Sequence, residues 1–377
     1  MNKHKLVRII AKHTPVWLRR FLRRNISMMD YDLWLYEQQN PYASITEDQN
    51  NDYNSPYLFG IVKEFAHDHK SYIIACQELG VPFKVLDISG SNWIDVIKDS
   101  QCDIYLIWPS VAMTIWNEMF DDRVRVMVEE MGKVVYPTMK EIWIYENKRR
   151  ARDWLIANDI PHPETWVFYN MDDALAFADK REMPIVFKTN LGASASGVKI
   201  LRDRASLRKT IRRAFQKGVV PTHKDKRDVQ WGSVLLQEYL HDVREWRMVR
   251  IGDSYFGYRK EIVSDFHSGS HGWSWDDPPK TLLNLLRDVT EKGSFTSMDV
   301  DIFETTDGRL LVNELQTVFG ATTPVDQLRV NDKPGRYIYK ENSEEWIFED
   351  GDFSPNACAN ERIKYLIETR FLERFRR

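Results

Sequence analysis

Residues 297–320 read SMDVDIFETTDGRLLVNELQTVFG. Asp307-Gly308 supplies a turn near the centre, and the runs on either side predict two antiparallel strands. Asp301 falls on the first strand. Glu314 and Gln316 fall on the second, two apart and therefore on one face. Two carboxylates and an amide oxygen gathered by a hairpin make a hard-oxygen site of the kind Mg²⁺ takes, with positions left for water and phosphate oxygens. A solvated polar hairpin face would carry the same residues. The apolar Leu310, Leu311, Val312 and Leu315 argue for burial instead, and buried carboxylates need a partner, for which a metal serves. By strict alternation Asn313 points to the opposite face.

Upstream, Val234 to Leu240 (VLLQEYL) predicts a strand whose end can offer backbone groups to an adenine edge. HDVREWRMVRIGDSYFGYRKE follows, with Glu245 and Arg247 two apart on one strand face and Arg259-Lys260 closing the next strand. Taken alone, a charged strand face is ordinarily solvated. Further back, Met183 to Lys188 (MPIVFK) predicts a strand ending in lysine. Gly192, Ala193, Ser194, Ala195, Ser196 and Gly197 then form a small-residue loop before the next strand-like run. Small side chains let backbone N–H groups approach phosphate oxygens, and the nearby lysine adds a point charge. No Lys-Ser/Thr follows the glycine, so this is not a Walker loop, and a plain Gly/Ser hairpin would also explain it. Lys148 opens an amphipathic helix running through Leu155 and Ile156.

Before residue 140 the texture differs. Short apolar runs at Leu58 to Val62, Phe83 to Ile88, Ile104 to Trp108 and Val134 to Tyr136 alternate with helical patterns. That order predicts a parallel sheet with crossover helices. No GxGxxG follows the first run, so the domain is Rossmann-like in architecture only. Ahead of it, DQNNDYNS at 48–55 reads as a linker or surface loop.

The chain has 377 residues, 53 Lys+Arg against 56 Asp+Glu and a net charge of −3, the composition of a soluble globular protein with room for two or three domains. Cys76, Cys102 and Cys358 are far apart and show no metal spacing, which excludes a disulfide framework and points to a reducing compartment, the cytoplasm. Met1 to Met29 carries eight Lys/Arg and no acid, leaving the remainder at −11. Around Pro15 this arm reads as two short basic amphipathic helices, and the C-terminus has a similar pattern at Ile363 to Phe375. Packing against the body or a second copy of the chain is the favoured reading; peripheral contact with an anionic membrane is the alternative. A nucleic-acid partner is excluded, because no recognised binding fold accompanies the arm and the acidic remainder repels phosphate.

Taken in order from Leu58 to Thr323, these segments resemble the ATP-grasp superfamily, and within it the carboxylate–amine ligases of the D-alanine–D-alanine ligase, glutathione synthetase and ribosomal-protein glutamate ligase types. The resemblance implies an α/β protein: a Rossmann-like N-terminal domain followed by an ATP-grasp fold of two α+β subdomains. The boundaries drawn are 1–55 for the arm and linker, 56–140 for the Rossmann-like domain and 141–240 for the ATP-grasp lid. The catalytic subdomain takes 241–330 and a C-terminal extension 331–377. It further implies ATP and two Mg²⁺ ions, with Lys148 and Lys188 on the phosphates and Gly192 to Gly197 closing over them. Gln237, Glu238, Tyr239 and Leu240 would form the adenine hinge and Glu245 would bind ribose. Arg247 and Arg259 would hold phosphate and the acyl-phosphate oxyanion, and Asp301, Glu314 and Gln316 the metal. The family usually has Asn where this chain has Gln316, a side chain one methylene longer.

The implied reaction activates a substrate carboxylate as an acyl phosphate, which an amine then converts to an amide. The alternatives are a phosphotransferase and a nucleotide-binding protein without catalysis. Small-molecule carboxylate and amine substrates are the expected partners. Trp273, Trp275 and Tyr337 would suit a sugar-linked one, and His267 and His271 lie on a loop near the acceptor.

Overall fold

The protein is described here from a computed structural model. It describes residues 42–47, 55–111, 113–192, 197–221, 227–263, 266–267, 273–319 and 329–371, together with Pro15 and Glu373. The rest of the basic arm, Ala193 to Ser196, His271 and residues 320–328 lie outside the described residues.

Strands β1 (Phe59–Val62), β2 (Phe83–Leu86), β3 (Ile104–Leu106) and β4 (Val134–Tyr136) form a parallel sheet in the order β2-β1-β3-β4. Helix α1 (Lys70–Glu78) follows β1, α2 (Trp93–Ser100) follows β2, and α3 (Thr114–Glu129) follows β3. Phe59, Ile61, Phe83, Ile104 and Leu106 pack on one side with Tyr72, Ile73 and Cys76 of α1. Val62, Leu86 and Tyr105 pack on the other with Trp93, Ile97, Phe120 and Val124. Both faces are therefore covered, which is why these strands read as apolar runs rather than alternations. The C-terminal helix α9 (Pro355–Glu368) returns to this unit, its Ala359, Ile363 and Leu366 joining the same core as α1.

A capping box at Thr138 and Glu141 starts α4 (Met139–Ile144), and Asn147 caps α5 (Lys148–Ala157) by accepting from the Arg150 amide. The next sheet is antiparallel in the order β5-β8-β6-β7, from β5 (Thr165–Phe168), β6 (Ile185–Lys188), β7 (Val198–Leu201) and β8 (Val234–Glu238). Its inner residues Ile185, Phe187, Val234 and Leu236 pack on α6 (Met171–Lys180) and α7 (Arg204–Gln216). Lys188, Leu235 and Gln237 alternate to the opposite face.

The largest sheet contains β9 (Arg244–Ile251), β10 (Ser254–Lys260), β14 (Ser297–Glu304) and β15 (Leu310–Gln316). The short β11 (Ile262–Val263), β12 (Phe266–His267) and β13 (Trp273–Ser274) intervene in sequence, and β13 pairs with β10. β16 (Arg329–Val330), β17 (Lys333–Lys340) and β18 (Glu345–Asp350) extend the same sheet beyond β10, so it continues across the residue-330 boundary drawn from sequence. Helix α8 (Lys280–Gly293) covers one face through Leu282, Leu283 and Leu286 against Met248, Val300 and Ile302. Among the described residues no helix is long and apolar enough to cross a membrane. The three cysteines are all buried and free, in line with the absence of a disulfide framework.

Candidate active site

The face of the largest sheet turned away from α8 is charged toward one end and packs against Cys358 of α9 through Val249, Ile251 and Phe256 toward the other. Strand register explains how the charges gather. Cross-strand partners share a face, so the pairs Lys260 with Glu245, Arg247 with Asp301, Asp301 with Glu314, and Asp299 with Gln316 collect these side chains on one side. Asp301 is 1% exposed and Asp299 0%. The Arg247 guanidinium reaches both carboxylates, with Nε 2.9 Å from Asp299 Oδ2 and 3.2 Å from Asp301 Oδ1. Lys260 Nζ binds Glu245 Oε1 at 2.9 Å and pairs closely with Asp301 as well. Burial by itself would raise the Asp301 carboxyl, but Arg247 and Lys260 outweigh it and hold it at about 2. Burial dominates at Asp299 and pushes that carboxyl well above the usual range; neither of its oxygens accepts a well-directed hydrogen bond.

Opposite this face stands the polar side of the four-stranded sheet, and α5 closes the cleft between them. Lys148, the first residue of α5, places Nζ 2.9 Å from Glu314 Oε1 and donates to the Gly192 carbonyl at 2.9 Å. Lys188 donates to Asn313 Oδ1 at 2.8 Å. Burial, aided by the neighbouring Lys148, lowers the Lys188 ammonium to about 8 despite the attraction of Glu314. The two lysines, Glu314, Asn313, Gln237 and Glu146 line a cavity with about 450 Å³ of empty space. Around it, among the described residues, five carboxylates (Glu146, Glu245, Asp299, Asp301, Glu314) face four cations (Lys148, Lys188, Arg247, Lys260).

The described ends of the small-residue loop are tied together. The Thr189 amide donates to the Gly197 carbonyl at 3.0 Å, and Gln230 Oε1 accepts from the Asn190 and Leu191 amides. A Cβ on Gly197 would lie 1.7 Å from Thr189 Oγ1, so only glycine fits this neck. Asn190 in turn accepts from the Lys148 and Arg149 amides, fastening the loop to the first turn of α5.

The structure thus brings Lys148, Lys188, Gly192, Gln237, Glu245, Arg247, Asp301, Glu314 and Gln316 to one cleft. Gln237 is buried and donates to Thr165 Oγ1 at 3.0 Å; Glu238 accepts from the Glu164 amide at 2.7 Å, and Tyr239 packs edge-on against His241. Leu240 follows just beyond the end of β8. Arg259 stands apart: alternation turns it to the other face, where it pairs with Glu261 and Asp276 at 3.1 Å each. Tyr337 bonds Asp277, and Trp275 packs on Tyr258.

Asn313 departs from the alternation read from sequence. The register slips between Asp301, paired with Glu314, and Ile302, paired with Val312, so Asn313 is the extra residue of a β-bulge and meets Lys188. Lys260, Asp299 and Glu146 are further site residues beyond those assigned from sequence. Asp299 was signalled by its i, i+2 relation to Asp301, and Lys260 by the phase of β10. Nothing local marks Glu146.

No family model matches the chain. A stretch of 200 residues is 26% identical to pyruvate carboxylase of Staphylococcus aureus, covering 51% of this chain and 16% of that protein's length. The biotin carboxylase domain of Hydrogenobacter thermophilus 2-oxoglutarate carboxylase, solved with MgADP, ADP and bicarbonate, superimposes with a TM-score of 0.51 at 14% identity, over 71% of this chain and 65% of that one. D-cycloserine synthetase superimposes with a TM-score of 0.53 at 15% identity, over 83% of this chain and 99% of that one. A parallel N-terminal sheet, then a cleft held between a four-stranded antiparallel sheet and a larger one, is the arrangement expected above, and the chain has the fold of the ATP-grasp superfamily.

Proposed function

We propose that the protein is an ATP-dependent carboxylate–amine ligase, working on small-molecule substrates. The observation that carries this reading is the convergence of Lys148 and Lys188 from one side of the cleft on Glu314 and Asn313 from the other. Two half-buried ammonium groups at the neck of a small-residue loop suit a polyphosphate, whose oxygens would replace the carboxylate and amide they now contact. Arg247, with Lys260 in the place read for Arg259 from sequence, holds cationic charge beside the acids where an oxyanion would develop.

The donor set fits magnesium. Asp301 and Glu314 are direct cross-strand partners, Gln316 follows on the same face, and all three offer hard oxygens. Asp301 is held as an anion by Arg247 and Lys260, so its carboxylate is in the ionised form that a metal ligand needs. Magnesium bound there supplies charge neutralisation for phosphate oxygens. The lysines position the nucleotide, and the buried cleft excludes water from the activated carboxyl group.

In the reaction a substrate carboxylate oxygen takes the γ-phosphoryl group as the bond to ADP breaks. The amine nitrogen then bonds to the acyl carbon, phosphate departs with the carbon–oxygen bond, and the amine proton passes to solvent. The test is a screen of carboxylates with Mg-ATP and hydroxylamine, an uncharged nucleophile that traps acyl phosphates as hydroxamates. Hydroxamate, ADP and phosphate in equal amounts support the ligase. ADP with a stable phosphorylated product, or no carboxylate-dependent turnover, overturns it.

A further inference from the structure

A second cavity, with about 270 Å³ of empty space, adjoins the first on the side of the parallel sheet. Its walls include Thr114 and Asn117 of α3, Leu191 and Gly192 of the loop neck, Asp228 and Glu146. Among the described residues, Glu146 alone lines both cavities. Its side chain stands at the boundary, Oε1 accepting from Gln316 Nε2 at 3.2 Å and Oε2 lying 3.9 Å from Lys148 Nζ.

The backbone puts it there at a cost. Glu146 is 4% exposed and has φ of 50°, a left-handed conformation that costs a non-glycine residue about 1–2 kcal/mol. Such outliers persist where the surroundings impose them, and they cluster at ligand sites. Here the left-handed residue falls between α4 and the Asn147 cap of α5.

The lining selects a charge and a size. Glu146 and Asp228 are acids, and no described lysine or arginine lines this cavity. Thr114 Oγ1 is buried and makes no hydrogen bond, leaving an oxygen on offer to a donor. Asp228 Oδ1 is tied to the Thr114 amide at 3.2 Å, which fixes the two walls together. The enclosed part of the space has room for about one water-sized group, the size of an ammonium head. A primary ammonium, with three donors and one positive charge, matches this set.

We propose that this cavity receives the primary ammonium group of the acceptor substrate, with Glu146 as the carboxylate that binds it and Gln316 as the residue that positions Glu146. The inference rests on the ligase reading and adds the acceptor's place and charge. Gln316 matters through its length: an asparagine would fall about 1.5 Å short of Glu146. Binding at the shared wall brings the nitrogen beside the cleft that holds Lys148 and Glu314, where the acyl group is activated. The ammonium releases one proton to solvent before its freed lone pair attacks the acyl carbon.

The experiment compares two nucleophiles in the full-length enzyme, using a carboxylate found by hydroxamate formation. One is an alkyl primary amine such as ethanolamine or an amino acid amide, cationic at neutral pH, chosen as the best acceptor of the wild type. The other is uncharged hydroxylamine. In Glu146→Gln, kcat/KM for the cationic amine should fall about 10- to 100-fold relative to kcat/KM for hydroxylamine, the loss of one charge-assisted contact. The fall should lie mainly in KM for the amine. An equal loss on both nucleophiles overturns the proposal while leaving the ligase reading intact. No hydroxamate from wild-type enzyme with any carboxylate overturns both. Should Glu146→Gln fail to fold, Glu146→Asp, which withdraws the carboxylate by one methylene, is read by the same ratio, and an unchanged ratio there overturns the proposal.

Discussion

The parallel N-terminal sheet and the largest antiparallel sheet treat their strands in opposite ways. In the first, Phe59, Ile61, Val62, Ile104, Tyr105 and Leu106 are all at 0% exposure, and helices cover both faces. In the second, Met248, Val300 and Ile302 are equally buried beneath α8, while their neighbours Arg247, Asp299 and Asp301 carry the charges of the cleft. A strand buried on both sides has no residue left over for chemistry. A strand covered on one face can give residues of its other face to a site, on a backbone that packing holds rigid. Thus β9 gives Arg247, while Val249 and Ile251 of that same face stay buried beside Cys358.

The sharpest way to break this contrast is Lys260→Met. The substitution keeps the stem but leaves Glu245 without its lysine and Asp301 with Arg247 as its remaining cation. Removing one partner of a buried ionic cluster is expected to cost about 3–5 kcal/mol, read as a lower urea midpoint. A loss below 1 kcal/mol would mean that the charged face is solvated like an ordinary surface.

A smaller effect comes from pH. Burial lowers Lys188 from its ordinary value of 10.5 to about 8, so between those values the folded protein carries fewer protons there than the unfolded chain. Stability must then rise with pH across that window. Lys188→Met removes the contribution, so the stability gained from pH 8 to pH 10 should be smaller in the variant by roughly 1 kcal/mol, allowing for partial solvent access. Parallel urea titrations of the two proteins at both pH values check this. Identical slopes would place the Lys188 ammonium in water.

The smallest effect sharpens the contrast within two adjacent residues. Arg259 is next to Lys260 but on the other face, paired with Glu261 and Asp276 at partly exposed positions. Arg259→Met should change stability by less than about 1 kcal/mol, the usual worth of such pairs. Calorimetric midpoints of the Arg259 and Lys260 variants measured side by side provide the check. A larger loss for Arg259 would reverse the assignment of faces.

Much of this was legible before any coordinates. The apolar runs of the first domain, the lysine ending MPIVFK, the turn at Asp307-Gly308 and the i, i+2 pairs at Glu245/Arg247 and Glu314/Gln316 all state local periodicity, and strands fold by local periodicity. Asp299 could have been read from the same rule. Arg259 and Lys260 show where it fails: adjacent cations at a strand end are distinguishable only by phase, and pairing with β9 sets the phase.

Asn313 and Glu146 mark the remaining boundary. By itself the sequence determined which residues alternate on each strand, where the turns fall and which segments are buried on both sides, because these follow from side-chain type and spacing along a single chain. Only the tertiary structure decided that β15 slips by one residue against β14, bringing Asn313 to Lys188. It likewise decided that the chain turns left-handed at Glu146 and sets that carboxylate between two cavities. Bulges and inter-domain walls are fixed by the partner that packs against a segment, and that partner lies 125 residues away for Asn313 and 170 away for Glu146.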